Sequence, residues 1–470
     1  MAAVTPQGVG FLTLLRKRNF LLLWLAQLIS MTAFWAANYG LIFLITEKTK
    51  STTLVGLALI CASVPAVIIG APAGVFVDRR NKRRVLFYSN CLRAIATLGF
   101  VVALVIDSGQ LVTLYILTLL ISAIGQFFAP AEGASIPMLV NDDELIHALS
   151  LFQITSMLSN ALGFLALAPL LLGIFPRTSN IQGFLFTNIE ALYIIMAVLY
   201  AVCALLIRLI PTHSFIEPKL RNTTTTELTA ESLGVLQNVW HEMAQAWIFI
   251  RRRSLLFVAV IQLSFAGILF ALIGQLAPLL VTKLLGLDLN LMPLIFAPAG
   301  VGLVLGSLFM PRIAKALGTS RTILIGCITL AVLVLLIPLA TLLAQHLEQQ
   351  GLHVQPLLVS VVGLMMFLAG VALDFLNIPA SAAMQEKTPD WIKGRVLALQ
   401  LALFNGVSIP CILLVGWISD SFGLPIALYF LALCVAIFGA WGVYYGRKLH
   451  PHEHEEADKQ AEMEAEQVIL

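Results

Sequence analysis

The chain has 470 residues, 59% of them hydrophobic and only 11% charged, with a mean hydropathy of +0.94. A soluble globular protein carries about 25% charged residues, and a soluble chain this apolar would expose large sticky patches that only a bilayer solvates. The formal net charge of +3 is too small to point to a nucleic-acid partner, so what matters is where the charges sit.

Residues 1–19 carry Arg16, Lys17 and Arg18 before an apolar stretch too long for a cleaved leader, and are expected to be a cytoplasmic lead-in. A helix needs ~20 apolar residues to cross ~30 Å of hydrocarbon. On that measure the sequence predicts spans over 20–46, 52–77, 85–106, 111–137, 145–175, 184–210, 254–282, 290–310, 320–344, 355–384, 395–419 and 424–446. Lys and Arg alternate with them. One side receives Arg16–Arg18, Arg79–Arg84, Lys219 and Arg221, Arg251–Arg253, Arg312, Lys315, Arg321, Lys387, Lys393, Arg395, Arg447 and Lys448. The other side has only Lys48, Lys50, Arg177 and Lys283. The rich side is expected to be cytoplasmic, which puts both termini there, in the cell's inner (plasma) membrane.

The long polar interruption at 211–253 divides the spans six and six. Leu236, Trp240, Met243, Trp247 and Ile250 recur in it at helical spacing, which predicts an amphipathic helix on the cytoplasmic membrane face. The halves also repeat. Phe128-Ala129-Pro130-Ala131 ends the fourth span and Ile378-Pro379-Ala380 the tenth, each followed by an acidic loop with a proline. Leu149-Ser150-Leu151-Phe152-Gln153 then answers to Leu397-Ala398-Leu399-Gln400. Such repeats mark secondary transporters, with the substrate site near the midplane. The expected organisation is a six-helix bundle over 1–210, a linker over 211–253, a second bundle over 254–446 and a charged cytoplasmic tail over 447–470.

Between the second and third spans lies Gly74-Val75-Phe76-Val77-Asp78-Arg79-Arg80-Asn81-Lys82-Arg83-Arg84. Gly74 is expected to let two helices approach, Asp78 to pair with basic residues or cap a neighbouring helix, and Asn81 to supply a left-handed turn position. This stretch resembles the signature of the major facilitator superfamily, with Asn81 where the family has its second glycine. The resemblance runs over roughly residues 12–446. It implies an all-α integral membrane fold of twelve transmembrane helices in two pseudo-symmetric six-helix bundles. The branch it resembles is the bacterial enterobactin and macrolide exporters, through Phe127–Ala131 and Gly394-Arg395-Val396 with Pro410 and Gly416. Departures from that branch are Phe164 after Gly163, where exporters carry a proline, and Ala33-Phe34, where the branch carries an aspartate in the first span.

An ionisable residue in the hydrocarbon costs at least ~2.5–3.5 kcal/mol on insertion scales, so each one asks for a reason. Asp374, with Asn377 one turn on, is the leading candidate for proton coupling or for a substrate cation, and Glu190 is a second candidate. Arg93 is expected to snorkel to the cytoplasmic surface. Glu132 is expected to pair with Arg83 or Arg84 as a latch worth ~1 kcal/mol or more. Gln27, Trp35, Asn38, Gln126, Gln153, Asn160, Gln262, Gln275 and Asn405 are candidate cavity-lining residues or interhelical glue.

The six cysteines lie singly in apolar runs, and the histidines at 450, 452 and 454 sit in a polar tail; neither set predicts a metal centre or a disulfide framework. No cofactor is expected. The chain carries no nucleophile–base, HExxH or Gly-rich phosphate motif, which argues against an enzyme and against an ATP-driven pump. The expected function is secondary active transport, as a monomer, of small amphipathic molecules of drug, macrolide or siderophore type, with protons as coupling ion and efflux as direction. The alternatives are a lysophospholipid flippase, an importer of the same fold, or a transport-dead sensor.

Overall fold

The computed structural model describes residues 11–106, 110–141, 144–176, 178–181, 184–215, 243–350, 355–389, 392–442 and 444. Positions 236 and 240 of the expected amphipathic helix and the histidines of the tail lie outside them. The first part runs α1 (Phe11–Leu15), α2 (Arg18–Thr49), α3 (Thr52–Asp78), α4 (Lys82–Ile106), α5 (Leu111–Leu139) and α6 (Leu145–Ala161). A π-helical segment (Leu162–Leu167) leads into α7 (Ala168–Ile174), then a hairpin of β1 (Thr178–Ile181) and β2 (Phe184–Thr187), then α8 (Asn188–Leu209). The second part runs α9 (243–252), α10 (Ser254–Leu279), a π-helical turn (Leu280–Leu284), α11 (Met292–Leu317), α12 (Thr319–Gln349), α13 (Gln355–Glu386), α14 (Lys393–Phe422) and α15 (Leu424–Gly442).

Among the described residues twelve helical stretches are long and apolar enough to cross a membrane, with α6, the π segment and α7 forming one of them. Their outer faces are apolar. Ile68, Ile95, Ile106, Val112, Met157, Leu308 and Leu364 are all at least 60% exposed, an arrangement that suits lipid rather than water.

Local chemistry explains the breaks. Lys50 closes α2 in the left-handed conformation (φ 52°), its N–H bonded to the Thr46 carbonyl, and the Ser51 side chain then caps α3 by accepting from Leu54 N at 3.2 Å. The links α11–α12 and α14–α15 are single glycines, Gly318 (φ 80°) and Gly423 (φ 95°), where a side chain would strain the backbone. The π segment before α7 coincides with Pro169, which cannot donate to the carbonyl four residues back. The expected span 184–210 begins later than its hydropathy suggests. Residues 184–187 pair antiparallel with 178–181, in the register Thr178↔Thr187 to Ile181↔Phe184, and the helix starts at Asn188.

The chain divides into two compact units, Met1–Gln237 with Leu289–Pro293, and Asn238–Asp288 with Leu294–Leu470. In the first, α4 packs on α5 and α8, α3 on α5, and α2 on α6 and α8. One of its buried clusters gathers Leu14, Phe20, Leu86, Phe128, Phe152, Ile207 and Phe215 at the end that carries the basic loops. In the second, α10 packs on α13 and α14, and α12 on α13. Helix α9 is the visible part of the expected amphipathic helix. Its Ala246 and Ile250 are fully buried, with Trp247 alongside, against Leu256, Val260, Met384 and Val396. Its apolar face is therefore packed on the protein.

Candidate functional site

The first unit holds a buried polar cluster built from four helices. Arg93 on α4 is 3% exposed, so it does not snorkel to a surface as expected. Its Nη1 donates to Ser30 Oγ on α2 at 3.0 Å, and Ser30 Oγ donates to Asn90 Oδ1 at 3.2 Å. Asn90 in turn donates to the Leu86 carbonyl at 3.0 Å. The guanidinium lies over the rings of Phe128 (5.2 Å) and Tyr200 (5.7 Å), a buried cation–π cradle. Gly125 on α5 makes the space: a Cβ there would collide with Arg93 Nη2.

Glu132, on the next turns of α5, is 6% exposed and interacts electrostatically with Arg93. The two are not in ion-pair contact; among the described residues that contact is made by Lys17 and Glu144. The expected latch between Glu132 and Arg83 or Arg84 is absent, for a geometric reason. Arg83 is turned to the C-terminal end of α8, where it donates to the carbonyls of Ile207 (3.4 Å) and Arg208 (2.6 Å) and to Thr212 Oγ1 (2.6 Å), while Arg84 is exposed. The negative end of the α8 dipole favours a cation at this C-terminus.

The signature loop is otherwise short. Arg79 ends α3, Arg80 lies over the Phe76 ring at 5.6 Å, and Lys82 is buried. Asn81 is not left-handed: its Oδ1 accepts from Arg84 N at 3.2 Å, so it caps α4. A Cβ at Gly74 would meet nothing within 4 Å, so within its unit Gly74 is not a close-approach point. The side chain of Asp78 lies outside the described residues. At the start of α14, after Gly394, Arg395 donates to Gln245 of α9 at 3.3 Å.

In the second unit, Asp374 on α13 is 4% exposed, and its Oδ2 has no hydrogen-bond partner. It sits over Gly306 of α11, where a Cβ would stand 2.6 Å from Oδ2. The glycines Gly302 and Gly306, one turn apart on α11, bring that helix and α13 into backbone contact. Asn377, expected beside Asp374, is exposed. Glu190 has a structural job at the start of α8. Its Oε2 accepts from Thr187 N at 2.7 Å and from Thr187 Oγ1, which forms a capping box that starts α8.

The candidate lining residues separate into three groups. Gln27 (4% exposed) donates from Nε2 to the Phe152 carbonyl at 3.2 Å, and Gln275 (fully buried) from Nε2 to the Ile412 carbonyl at 2.9 Å. Each joins the first long helix of its unit to the fifth span, at different levels along those helices, and both are interhelical glue. Gln126, Asn38 and Asn405 bond to carbonyls of their own helices, at 3.3, 2.8 and 2.9 Å. Trp35 packs edge-on to Phe34, Gln262 is buried beside Gly442, and Gln153 is exposed. Sequence reasoning missed Ser30, Asn90 and Tyr200. Their signal was a polar atom inside an apolar run; Ser30 and Tyr200 reach Arg93 from other helices, and Asn90 lies one turn before it on α4.

A sequence profile of the Major Facilitator Superfamily matches residues 23–364. Macrolide efflux protein A of Streptococcus pyogenes is 30% identical over 131 residues, 27% of this chain; the chain spans about a third (32%) of that relative's length. An uncharacterized MFS-type transporter, YfiS of Bacillus subtilis (strain 168), is 23% identical over 390 residues, 82% of this chain and 83% of that one. The crystal structure of a variant of the nucleoside transporter NupG superposes with a TM-score of 0.62 at 14% identity, covering 90% of this chain and 99% of that one. A bacterial homologue of the human lysosomal transporter Spinster gives 0.65 at 11% identity, covering 91% and 96%. These structural likenesses show the fold alone. With twelve membrane-crossing helices and a family match over most of its length, the chain belongs to the major facilitator superfamily of secondary transporters.

Proposed function

We propose that the protein exports small amphipathic molecules across the cell's plasma membrane by alternating access, driven by proton entry. The observation that carries the proton coupling is Asp374, a carboxyl buried within a membrane-spanning helix with one oxygen unpartnered. Ionisable groups at such depth are costly to keep and mark ion pathways. Efflux as the direction, and an amphipathic cargo of macrolide type, are supported by the partial similarity to macrolide efflux protein A. The excess of Lys and Arg on one side supports cytoplasmic termini. In this reading 1–210 and 254–446 are the two moving bundles, 211–253 connects them, 447–470 is a cytoplasmic tail, and the chain works as a monomer.

The test is flux in proteoliposomes under an imposed pH gradient, with a cargo chosen from paired susceptibility profiles of a deletion and an overexpressing strain. Gradient-driven cargo movement, lost in Asp374→Asn while downhill exchange remains, is the expected result. Flux indifferent to the gradient would remove the proton from the proposal. An unchanged Asp374→Asn would remove Asp374 from the coupling.

A further inference from the structure

Asp374 is not the only buried carboxyl with an unpartnered oxygen. Glu132 Oε1 has no hydrogen-bond partner, and neither do Arg93 Nε, Tyr200 Oη and Thr97 Oγ1 in the same bundle. Each of these residues is at least nine-tenths buried: Glu132 6%, Arg93 3%, Tyr200 and Thr97 0% exposed. Arg93 is held in place by Ser30, Phe128 and Tyr200, so its charge is fixed. Glu132 has no such anchors.

A buried carboxylate without a donor or a contacting cation is an unfavourable species, whereas a neutral carboxyl in the same place is tolerated. The only charge that acts on Glu132 from α4 is Arg93. From α8 it faces the thiol of Cys203, which donates to the Ala26 carbonyl at 3.4 Å, and across Arg93 the hydroxyl of Tyr200. From α2 the nearby polar group is Ser30, already bonded to Arg93. The charge of the cluster therefore rests on whether Glu132 keeps its proton.

We infer that Glu132 and Arg93 form a proton-binding site inside the first six-helix bundle, separate from Asp374, in which Glu132 is neutral in the conformation described and pairs with Arg93 when it releases its proton. On release the carboxyl O–H bond breaks, its electron pair stays on oxygen, the proton passes to water, and Arg93 remains cationic and supplies the counter-charge. This deepens the proton-coupled reading above, but it is measured on the protein itself rather than on flux.

The experiment is pH-titrated infrared difference spectroscopy of the purified full-length protein in detergent, alongside Asp374→Asn, Glu132→Gln, Glu132→Asp and Arg93→Gln. A protonated-carboxyl band is expected at neutral pH that persists in Asp374→Asn, is shifted in Glu132→Asp and is lost in Glu132→Gln. Arg93→Gln, which removes the counter-charge, should move its disappearance to higher pH. A Glu132→Gln spectrum identical to wild type overturns the inference. Should that variant not fold, an Arg93→Gln titration midpoint equal to wild type overturns it instead. Flux without gradient dependence would sink the coupling proposal while leaving this band in place, so the two failures are distinguishable.

Discussion

The crossing of α11 and α13 offers a sharp test of how the second unit is held. A Cβ on Gly302 would stand 3.0 Å from the Phe367 carbonyl carbon and 3.2 Å from Val371 N, with the Phe367 oxygen closer still. A Cβ on Gly370 would stand 2.9 Å from the Ala299 carbonyl carbon and 3.1 Å from its Cα. The obstructing atoms are backbone, so no rotamer change relieves the clash and one helix must move. Overpacking of this kind costs about 1–3 kcal/mol, and the gain in helix propensity from Gly to Ala returns up to about 1 kcal/mol. At a net cost of about 1–2 kcal/mol, Gly302→Ala and Gly370→Ala should each lower the thermal midpoint by about 2–8 °C, at roughly 2–4 °C per kcal/mol for a unit of about 200 residues. The double variant should cost clearly less than the two combined, because a crossing already opened by one methyl accommodates the other. Gly274→Ala is the control, since a Cβ there meets nothing within 4 Å and should leave the midpoint unchanged or raised. The assay is thermal unfolding of the purified protein in one detergent at one heating rate. A Gly302→Ala variant as stable as wild type, or strictly additive costs, would refute the close crossing.

Asn81→Ala removes the cap of α4 and should cost ~1 kcal/mol, seen as a lower unfolding midpoint, whereas a left-handed Asn81 would make Gly the better replacement by a wide margin. Thr187→Ala opens the capping box of α8 at a similar cost, while Glu190→Gln keeps an acceptor there and should leave gradient-driven flux intact; lost coupling in Glu190→Gln would give that residue a role in transport beyond the cap. Glu144 precedes the span that begins at His147, and the bonded Lys17 ammonium, with Asn141 N–H at 3.0 Å, holds its carboxyl below the usual carboxylate range. Its folded value is depressed, so its stabilisation is present above the unfolded value of ~4.3 and lost as pH falls through the folded value. Glu144→Gln should therefore destabilise at neutral pH by ~1 kcal/mol or less and match wild type near pH 3; an equal loss at both pH values would refute an ionic origin.

The spans were legible because hydrophobic length is a property of each segment alone, and ends such as Lys50-Ser51 and Gly318 are marked by their own residues. The start of α8 was legible too, but the hydropathy of Phe184–Phe186 outweighed it. Thr187-Ile-Glu-type spacing, here Thr187 followed three residues later by Glu190 before an apolar run, is a capping-box signature, and Gln182-Gly183 between β-favouring stretches is a hairpin signal. What the sequence could not supply was azimuth. Arg93 and Glu132 are 39 positions apart on different helices. Only the packing of α4 on α5 turns both inward and directs Arg83 to α8 instead. Gly74 was assigned from a loop pattern and Glu132 from its place near the end of a span, and both signals are silent on which face of each helix these residues occupy.

The internal repeat shows how one fold carries different charges in its two halves. Pro130 and Pro379 are equivalent, and the residue five positions before each is Gly125 in α5 and Asp374 in α13. In the first unit that position is glycine, and the Arg93 guanidinium from α4 occupies the space a Cβ would enter. In the second unit the position keeps its side chain, and the space is made on the facing helix, at Gly306 of α11. Each half thus spends one glycine to bury one charged group at the same register of the repeat, a cation in the first and a carboxyl in the second. On the proposal that Glu132 releases its proton, it supplies that cation's counter-charge from α5. The carboxyl has no cation within ion-pair distance among the described residues, which fits the proposal that a proton neutralises Asp374 in its half.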